Sequence, residues 1–375
     1  MMSRQSRLFL GVATWGVIVA AVAAQQPPMR FDRVLLLEQT SETSANVSFG
    51  DLNGDGALDV MLAKGRHWPL VDQVLFNDGK GTFRATPLGA ADRTYAGLLV
   101  DIDGDRDLDV VISNDEPDQK RVYVNDGRGR FTPGSTFGKP EWPTRNVSVA
   151  DLNGDSLPDI IVANRTGNDR GFNYVCLNHG AGKFDADCVP ATRESTTTIT
   201  PGDFDRDGRI DLAVPHREGG QSYIYFNDGK ASFPRRVPFG PATAEIRVSG
   251  AADLNGDGRM DLAVVDERSG PAIYLQKQDG TFEDRLPLER TAPPYALAVA
   301  DVNRDGKVDV IVGNVEAPSV VYFNKDGRHF QPVSFGDNKG TAYGIAVGDI
   351  DRDGVMDIGV ARSEGPNVLY FGSRP

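Results

Sequence analysis

Short apolar runs separated by polar, glycine-rich clusters recur along the chain at a fixed period. Asn46 to Gly50 and Leu58 to Ala63 flank one such cluster, DLNGDGALD at residues 51–59, and similar runs flank six more. The clusters begin at Asp51, Asp101, Asp151, Asp203, Asp253, Asp301 and Asp349, 48 to 52 residues apart. A period of this size marks one supersecondary unit stacked on copies of itself. Between clusters lies a second turn signal. Asn77 to Phe83 reads NDGKGTF; Asn125 to Phe131, Asn178 to Phe184, Asn227 to Phe233 and Asn324 to Phe330 match it, and Gln276 to Phe282 is a weaker copy. Asn, Asp and Gly between apolar runs make hairpin turns. Each unit therefore holds four strands: A, the Asp-rich loop, B, a long loop, C, the Asn-Gly hairpin, and D. Seven such antiparallel units predict an all-β, seven-bladed β-propeller, with an open solenoid as the competitor.

The ends of the chain favour a closed ring. The last unit stops at Phe371-Gly-Ser-Arg-Pro375 and lacks the hairpin and strand D. Phe31 lies 20 residues before Asp51, matching the 18 to 20 residues between each hairpin-ending Phe and the next Asp loop. The N-terminal strand is therefore expected to complete the last blade, leaving no unpaired terminal edge. Residues 25–375 then form one propeller domain.

Positions 1, 3, 5 and 9 of every loop carry oxygen donors. They are Asp51, Asn53, Asp55 and Asp59 in the first loop, and Asp101, Asp103, Asp105 and Asp109 in the second. Asp151, Asn153, Asp155 and Asp159 follow, then Asp203, Asp205, Asp207 and Asp211, then Asp253, Asn255, Asp257 and Asp261. Asp301, Asn303, Asp305 and Asp309, and Asp349, Asp351, Asp353 and Asp357 complete the set. Hard oxygen ligands of this number suit Ca²⁺, with a backbone carbonyl at position 7 and water completing the shell. Position 6 is Gly in five loops, where a tight turn needs positive φ; Arg106 and Ser156 depart from it. An EF-hand would need Glu at position 12 and flanking helices, whereas position 12 is Leu, Ile or Val throughout.

Charge follows the same loops. The chain carries a formal −13, or −15 without Arg4 and Arg7 of a leader, and 24 of its 53 acidic residues are loop donors. Up to seven Ca²⁺ would bring −15 to −1. The acidity is thus ligand charge and does not point to a basic partner. With no basic stretch, nucleic acid is excluded as a partner.

SFGDLNGDGALDVMLA at residues 48–63 resembles the FG-GAP repeat of integrin α-subunit propellers and the related VCBS repeat of secreted bacterial proteins. The resemblance covers all seven copies; the wording around Phe49-Gly50 is looser elsewhere, which favours the broader VCBS group. It implies a calcium-dependent propeller with Ca²⁺ in the A–B loops. Such folds host both adhesive and enzymatic members.

Arg4 and Arg7 precede an apolar run from Leu8 to Ala24 that ends in small residues, the pattern of a signal peptide over residues 1–24 cleaved after Ala24. This implies a secreted or periplasmic protein, with no membrane span in the mature chain. An oxidising compartment would let Cys176 and Cys188 pair. Simple hairpin register, with Leu177 opposite Phe184, puts Cys188 on the other sheet face unless a bulge intervenes, so pairing stays open.

The Asp loops and Asn-Gly hairpins share one face of the ring, leaving the opposite face for ligands. Six residues before each loop stand Ala45, Tyr95, Arg145, Thr197, Arg247, Tyr295 and Tyr343, a ring at one mouth. Thirteen residues after each loop start come Lys64, Asn114, Asn164, His216, Asp266, Asn314 and Arg362, a second polar ring. Tyrosine faces and forked arginines suit glycans, especially acidic ones, so Tyr95, Arg145, Arg247, Tyr295, Tyr343 and His216 are the candidate ligand residues. Trp68 and Trp142 are placed in loops of this face, as sugar platforms or as packing. The expected role is a non-catalytic binding module for a glycan or extracellular protein. The alternative is a polysaccharide lyase with His216 or Tyr343 as base and Arg247 neutralising a uronate.

Overall fold

The computed structural model describes residues 29–374 except 168–170 and 185–186. The expected leader lies outside the described residues. Seven four-stranded antiparallel sheets are present, six of them ordered A-B-C-D in sequence. In blade 1 the strands are Ser44–Gly50, Asp59–Lys64, Leu70–Asn77 and Phe83–Asp92. Strand B, DVMLAK, is buried at every residue, because both faces of a blade are covered by neighbours. That is why the B strands read as continuous apolar runs and not as alternation. The D strands lie at the outer rim and are largely exposed.

The seventh sheet confirms closure. Its order is Arg30–Leu36, then Val368–Ser373, Asp357–Ser363 and Thr341–Gly348, with the opening strand pairing antiparallel to strand C at Val34–Tyr370, Leu35–Leu369 and Leu36–Val368. Phe31 is buried, its ring 5.2 Å from Phe335 of blade 6.

Among the described residues, each of the seven apolar clusters sits between two adjacent blades. The hairpin asparagines join the blades by a polar route. Asn125 Nδ2 donates to Leu52 O of the preceding blade (2.8 Å), and Asn178, Asn227, Gln276 and Asn324 repeat the contact. Asn77 does the same to Ile350 O across the closure of the ring (2.8 Å). The equivalent residue of blade 7 is Gly372, which has no side chain to donate; its amide still bonds Asp357 Oδ1 (2.9 Å).

Cys176 and Cys188 form a disulfide. Asn178 faces Phe184, yet Val175 faces Val189, so strand D has gained two residues between these pairs and brings Cys188 opposite Cys176.

Asp72 at the top of strand C is buried; its Oδ1 accepts the Lys64 amide (2.8 Å) and its Oδ2 lies 2.9 Å from the Thr94 hydroxyl. That hydroxyl has one proton and a second oxygen neighbour, Asn114 Oδ1, at 2.9 Å. A protonated Asp72 resolves the conflict by donating to it, and burial pushes the carboxyl up to about 8. The folded chain thus holds a proton that the unfolded chain has released, so this contribution to stability declines as pH rises from the ordinary carboxylate range through about 8. Asp72→Asn keeps the acceptor and supplies the donor. Its melting temperature should exceed wild type by a margin that grows between pH 5 and pH 8; a margin independent of pH would show that Asp72 is ionised throughout.

Candidate metal loops and central mouth

The Asp loops share one hydrogen-bond scheme. In all seven, the position 1 carboxylate accepts the position 6 amide, as Asp51 Oδ2 does from Gly56 (2.7 Å). Position 5 accepts the position 7 amide, as Asp55 does from Ala57 (2.7 Å). The position 9 Asp is buried and ties the loop to its blade: Asp59 Oδ2 accepts Leu52 N–H (2.9 Å) and Oδ1 accepts Asn77 N–H (2.8 Å). Position 6 has positive φ even where it is Arg106 (77°) or Ser156 (69°), and position 4 does too, as in Arg206 (61°) and Arg352 (60°).

Three observations bear on a cation. Carboxylate oxygens of Asp101, Asp103 and Asp109, of Asp203, Asp205 and Asp211, and of Asp349, Asp351 and Asp353 lie within 4.8 Å of one another. Asp349 Oδ1 and Asp351 Oδ1 are buried with no hydrogen-bond partner. Burial, with repulsion from neighbouring Asp, raises the position 9 carboxyls to about 6 at Asp59, Asp109, Asp211 and Asp261, and to about 7 at Asp309 and Asp357. Carboxylates made costly by burial and repulsion are those a cation would stabilise. The oxygen-only donor set fits Ca²⁺. Arginines bring partial compensation, with Arg33 on Asp351, Arg235 on Asp205 and Arg209 on Asp207.

At the opposite end of strand A, the residue six before the loop occupies a bulge in six of the seven blades; strand A of blade 4 begins only at Thr200, beyond Thr197. Register shifts fall between Ser44/Asn46, Thr94/Ala96, Thr144/Asn146, Ile246/Val248, Pro294/Ala296 and Ala342/Gly344. A bulge re-aims its extra side chain. Ala45, Tyr95, Arg145, Thr197, Arg247, Tyr295 and Tyr343 accordingly line one cavity of about 100 Å³.

The ring is tightly coupled. Arg247 lies 3.4 Å over the Tyr295 ring, its Nε donates to Tyr295 O (2.9 Å) and its Nη1 is 3.5 Å from Glu267. Burial, with help from Arg217, lowers its pKa to about 10 against the pull of Tyr295 and Glu267. Tyr295 and Tyr343 meet edge to face with centroids 4.6 Å apart and hydroxyls 3.2 Å apart. Burial pushes the Tyr343 hydroxyl up; at Tyr295 burial acts the same way but Arg247 and the Tyr343 hydrogen bond outweigh it, lowering that hydroxyl. Arg145 pairs with Asp115 and lies 4.6 Å over Tyr95, whose hydroxyl is 3.0 Å from His67 Nε2. Burial, Arg66 and Arg145 together lower His67 despite Asp115.

Several sequence expectations change here. His216 is not at the mouth: it is buried, its amide donates to Ser222 Oγ (2.9 Å), and it lines a separate cavity of about 260 Å³ with Arg193, Glu194, Tyr223 and Arg236. The second polar ring is buried and ties down the B–C loops, as when Asn164 Nδ2 donates to Phe172 O and Asn314 Nδ2 to Pro318 O. Trp142 stacks on Tyr174 at 3.9 Å and is packing; Trp68 is 68% exposed. Sequence reasoning missed Arg66, Asp115, Arg217 and Glu267. The last three stand 14 residues after their loop starts, an offset that carries a charge in four of the seven blades, Asp115, Arg165, Arg217 and Glu267.

Fold and loops define a seven-bladed propeller with an acidic A–B hairpin in every blade. The chain matches the FG-GAP-like repeat model over residues 51–112, 101–162, 151–214, 253–312 and 301–360, more than half its length, and belongs to that family. It is 32% identical over 181 residues to integrin alpha-4 of Xenopus laevis, covering 42% of this chain and 17% of that one. To integrin alpha-PS5 of Drosophila melanogaster it is 30% identical over 156 residues, covering 35% and 15%. The chain thus matches less than a fifth of the length of these relatives. Among solved structures, BBS1N in complex with ARL6DN, soaked with mercury, superposes with a TM-score of 0.63 at 15% identity, covering 92% of this chain and 97% of that one. At this identity the likeness shows the fold alone. Among the described residues, no helix is long and apolar enough to cross a membrane.

Proposed function

We propose that the protein is an exported, calcium-loaded propeller that acts as a non-catalytic binding module for a glycan or a cell-surface protein. The observation that carries this reading is the mouth: five bulged strands bring Tyr95, Arg145, Arg247, Tyr295 and Tyr343 to one cavity, on the face away from the Asp loops. Calcium bound by the donors at positions 1, 3, 5 and 9 would supply positive charge and hold each A–B hairpin closed. The signal peptide at residues 1–24 and the mature domain from residue 25 belong to the same reading.

Binding is favoured over the lyase alternative by the candidate bases. His216 lies outside the mouth, Tyr343 has its hydroxyl pushed up, away from the neutral range a base needs, and Arg247 already directs its Nε to Tyr295 O and its Nη1 toward Glu267. A glycan-array screen with calcium present tests the module, alongside absorbance measurements for unsaturated product on uronate polysaccharides. Retained binding without absorbance change is expected. Turnover would replace the module with an enzyme.

A further inference from the structure

Four arginines crowd the mouth, and three have carboxylate partners. Arg145 pairs with Asp115, and Arg217 and Arg247 share Glu267. Arg66 has no carboxylate within ion-pair reach among the described residues. Its guanidinium lies 3.7 Å over the Tyr343 ring, its Nη1 donates to Ser363 Oγ (3.0 Å), and its Nε is buried without a hydrogen-bond partner. A buried, unsatisfied donor on a cation is costly unless an acceptor arrives.

The backbone holds this side chain in place. Gly65 N donates to Thr43 O (2.8 Å), Arg66 N to Thr94 O (3.1 Å) and Trp68 N to Gly65 O (2.8 Å), a turn clamped to strand A of the next blade. Arg66 has a φ of 52°. Glu316 and Glu364 hold positive φ at the same offset, so the fold sets the backbone but not the sign of the charge. Two residues on, Trp68 turns out to solvent, while His67 between them contacts Tyr95. One short loop thus carries a cation without a carboxylate partner over the Tyr343 ring of the mouth and, two residues on, an exposed indole.

Resting on the binding-module reading above, we propose that this loop selects an anionic oligosaccharide: an acidic group of the sugar chain docks on Arg66 at the mouth, and an adjoining ring stacks on Trp68. Guanidinium donors match a carboxylate, and an exposed indole suits a sugar face. A peptide carboxylate would use Arg66 but would not need the indole.

The test measures calorimetric binding, with calcium present, of oligogalacturonate, its methyl ester and poly-glutamate. Oligogalacturonate should bind most tightly, and esterification should weaken it roughly 10- to 150-fold, the range for losing a hydrogen bond to a charged group. Arg66→Gln should lose the same factor for the acid and little for the ester, with Arg66→Lys recovering part because it keeps charge without the fork. Trp68→Ala, at an exposed site, should weaken both sugars without shifting the melt. Equal binding of acid and ester, unaffected by Arg66→Gln, would overturn the anion claim while leaving the module intact. Poly-glutamate binding as tightly as the sugar, insensitive to Trp68→Ala, would overturn the sugar in favour of an acidic peptide. No binding to these probes by a protein that binds neutral glycans on the array would sink this inference alone; no binding to any glycan would take the glycan reading with it.

Discussion

Chelation with EGTA should lower the melting temperature by many degrees, and added Ca²⁺ should restore it. Sites binding at about 10⁻⁴ M contribute roughly 1.4 kcal/mol each at millimolar calcium. Seven independent sites would approach roughly 10 kcal/mol, comparable to the stability of a whole domain. That energy would reach the blades through the position 9 carboxylates. Each position 9 carboxylate bonds a loop amide on one side and an amide of strand C on the other, so the metal loop and the blade are one unit. Without a cation, the buried carboxylates must be neutralised by protons or by the arginines beside them. A melting curve indifferent to both EGTA and calcium would remove the metal from the Asp loops.

Deleting residues 25–36 should make the protein aggregate. The deletion strips the opening strand from Val368–Ser373, leaving an unpaired edge, and removes Phe31 from the cluster it shares with Phe335 and Tyr370. Blade 7 has little in reserve at this seam, because Gly372 stands where six other blades use Asn or Gln to bond the preceding blade. A peptide spanning residues 29–37 added during refolding should restore solubility, since the strand pairs by backbone bonds and not by a covalent link. A truncated chain that stays monomeric with an unaltered melt would mean that the ring does not depend on its closing strand.

Most of the architecture was legible because it repeats. The Asp loops mark the A–B hairpin in every copy, and the residues at either end of the chain complement one another, so closure follows from alignment of the repeats. The residues of the mouth were legible for the same reason: an offset of six from each loop puts them at one level around the axis. The role of the hairpin Asn was not legible, since a turn residue that also bonds the neighbouring blade looks the same in sequence as one that only makes the turn. The disulfide depended on two residues gained by strand D, which shift register without leaving a periodic trace. His216 fell in a polar ring by offset, but that whole ring is buried and His216 lines a cavity apart from the mouth.

The sequence by itself determined the number of blades, the place of the Asp loops, the closing strand and the level of the mouth. These depend on local hydrogen bonding and on period, which neighbouring residues carry with them. Only the tertiary structure decided which charges in the mouth are already matched. Arg247 and Arg145 stand at the same offset and Arg66 at another, and what each of them meets is set by Glu267, Asp115 and Ser363, contributed by other segments of the chain. Pairing energy at a shared axis depends on distance in space, and a sequence read blade by blade contains no such distance.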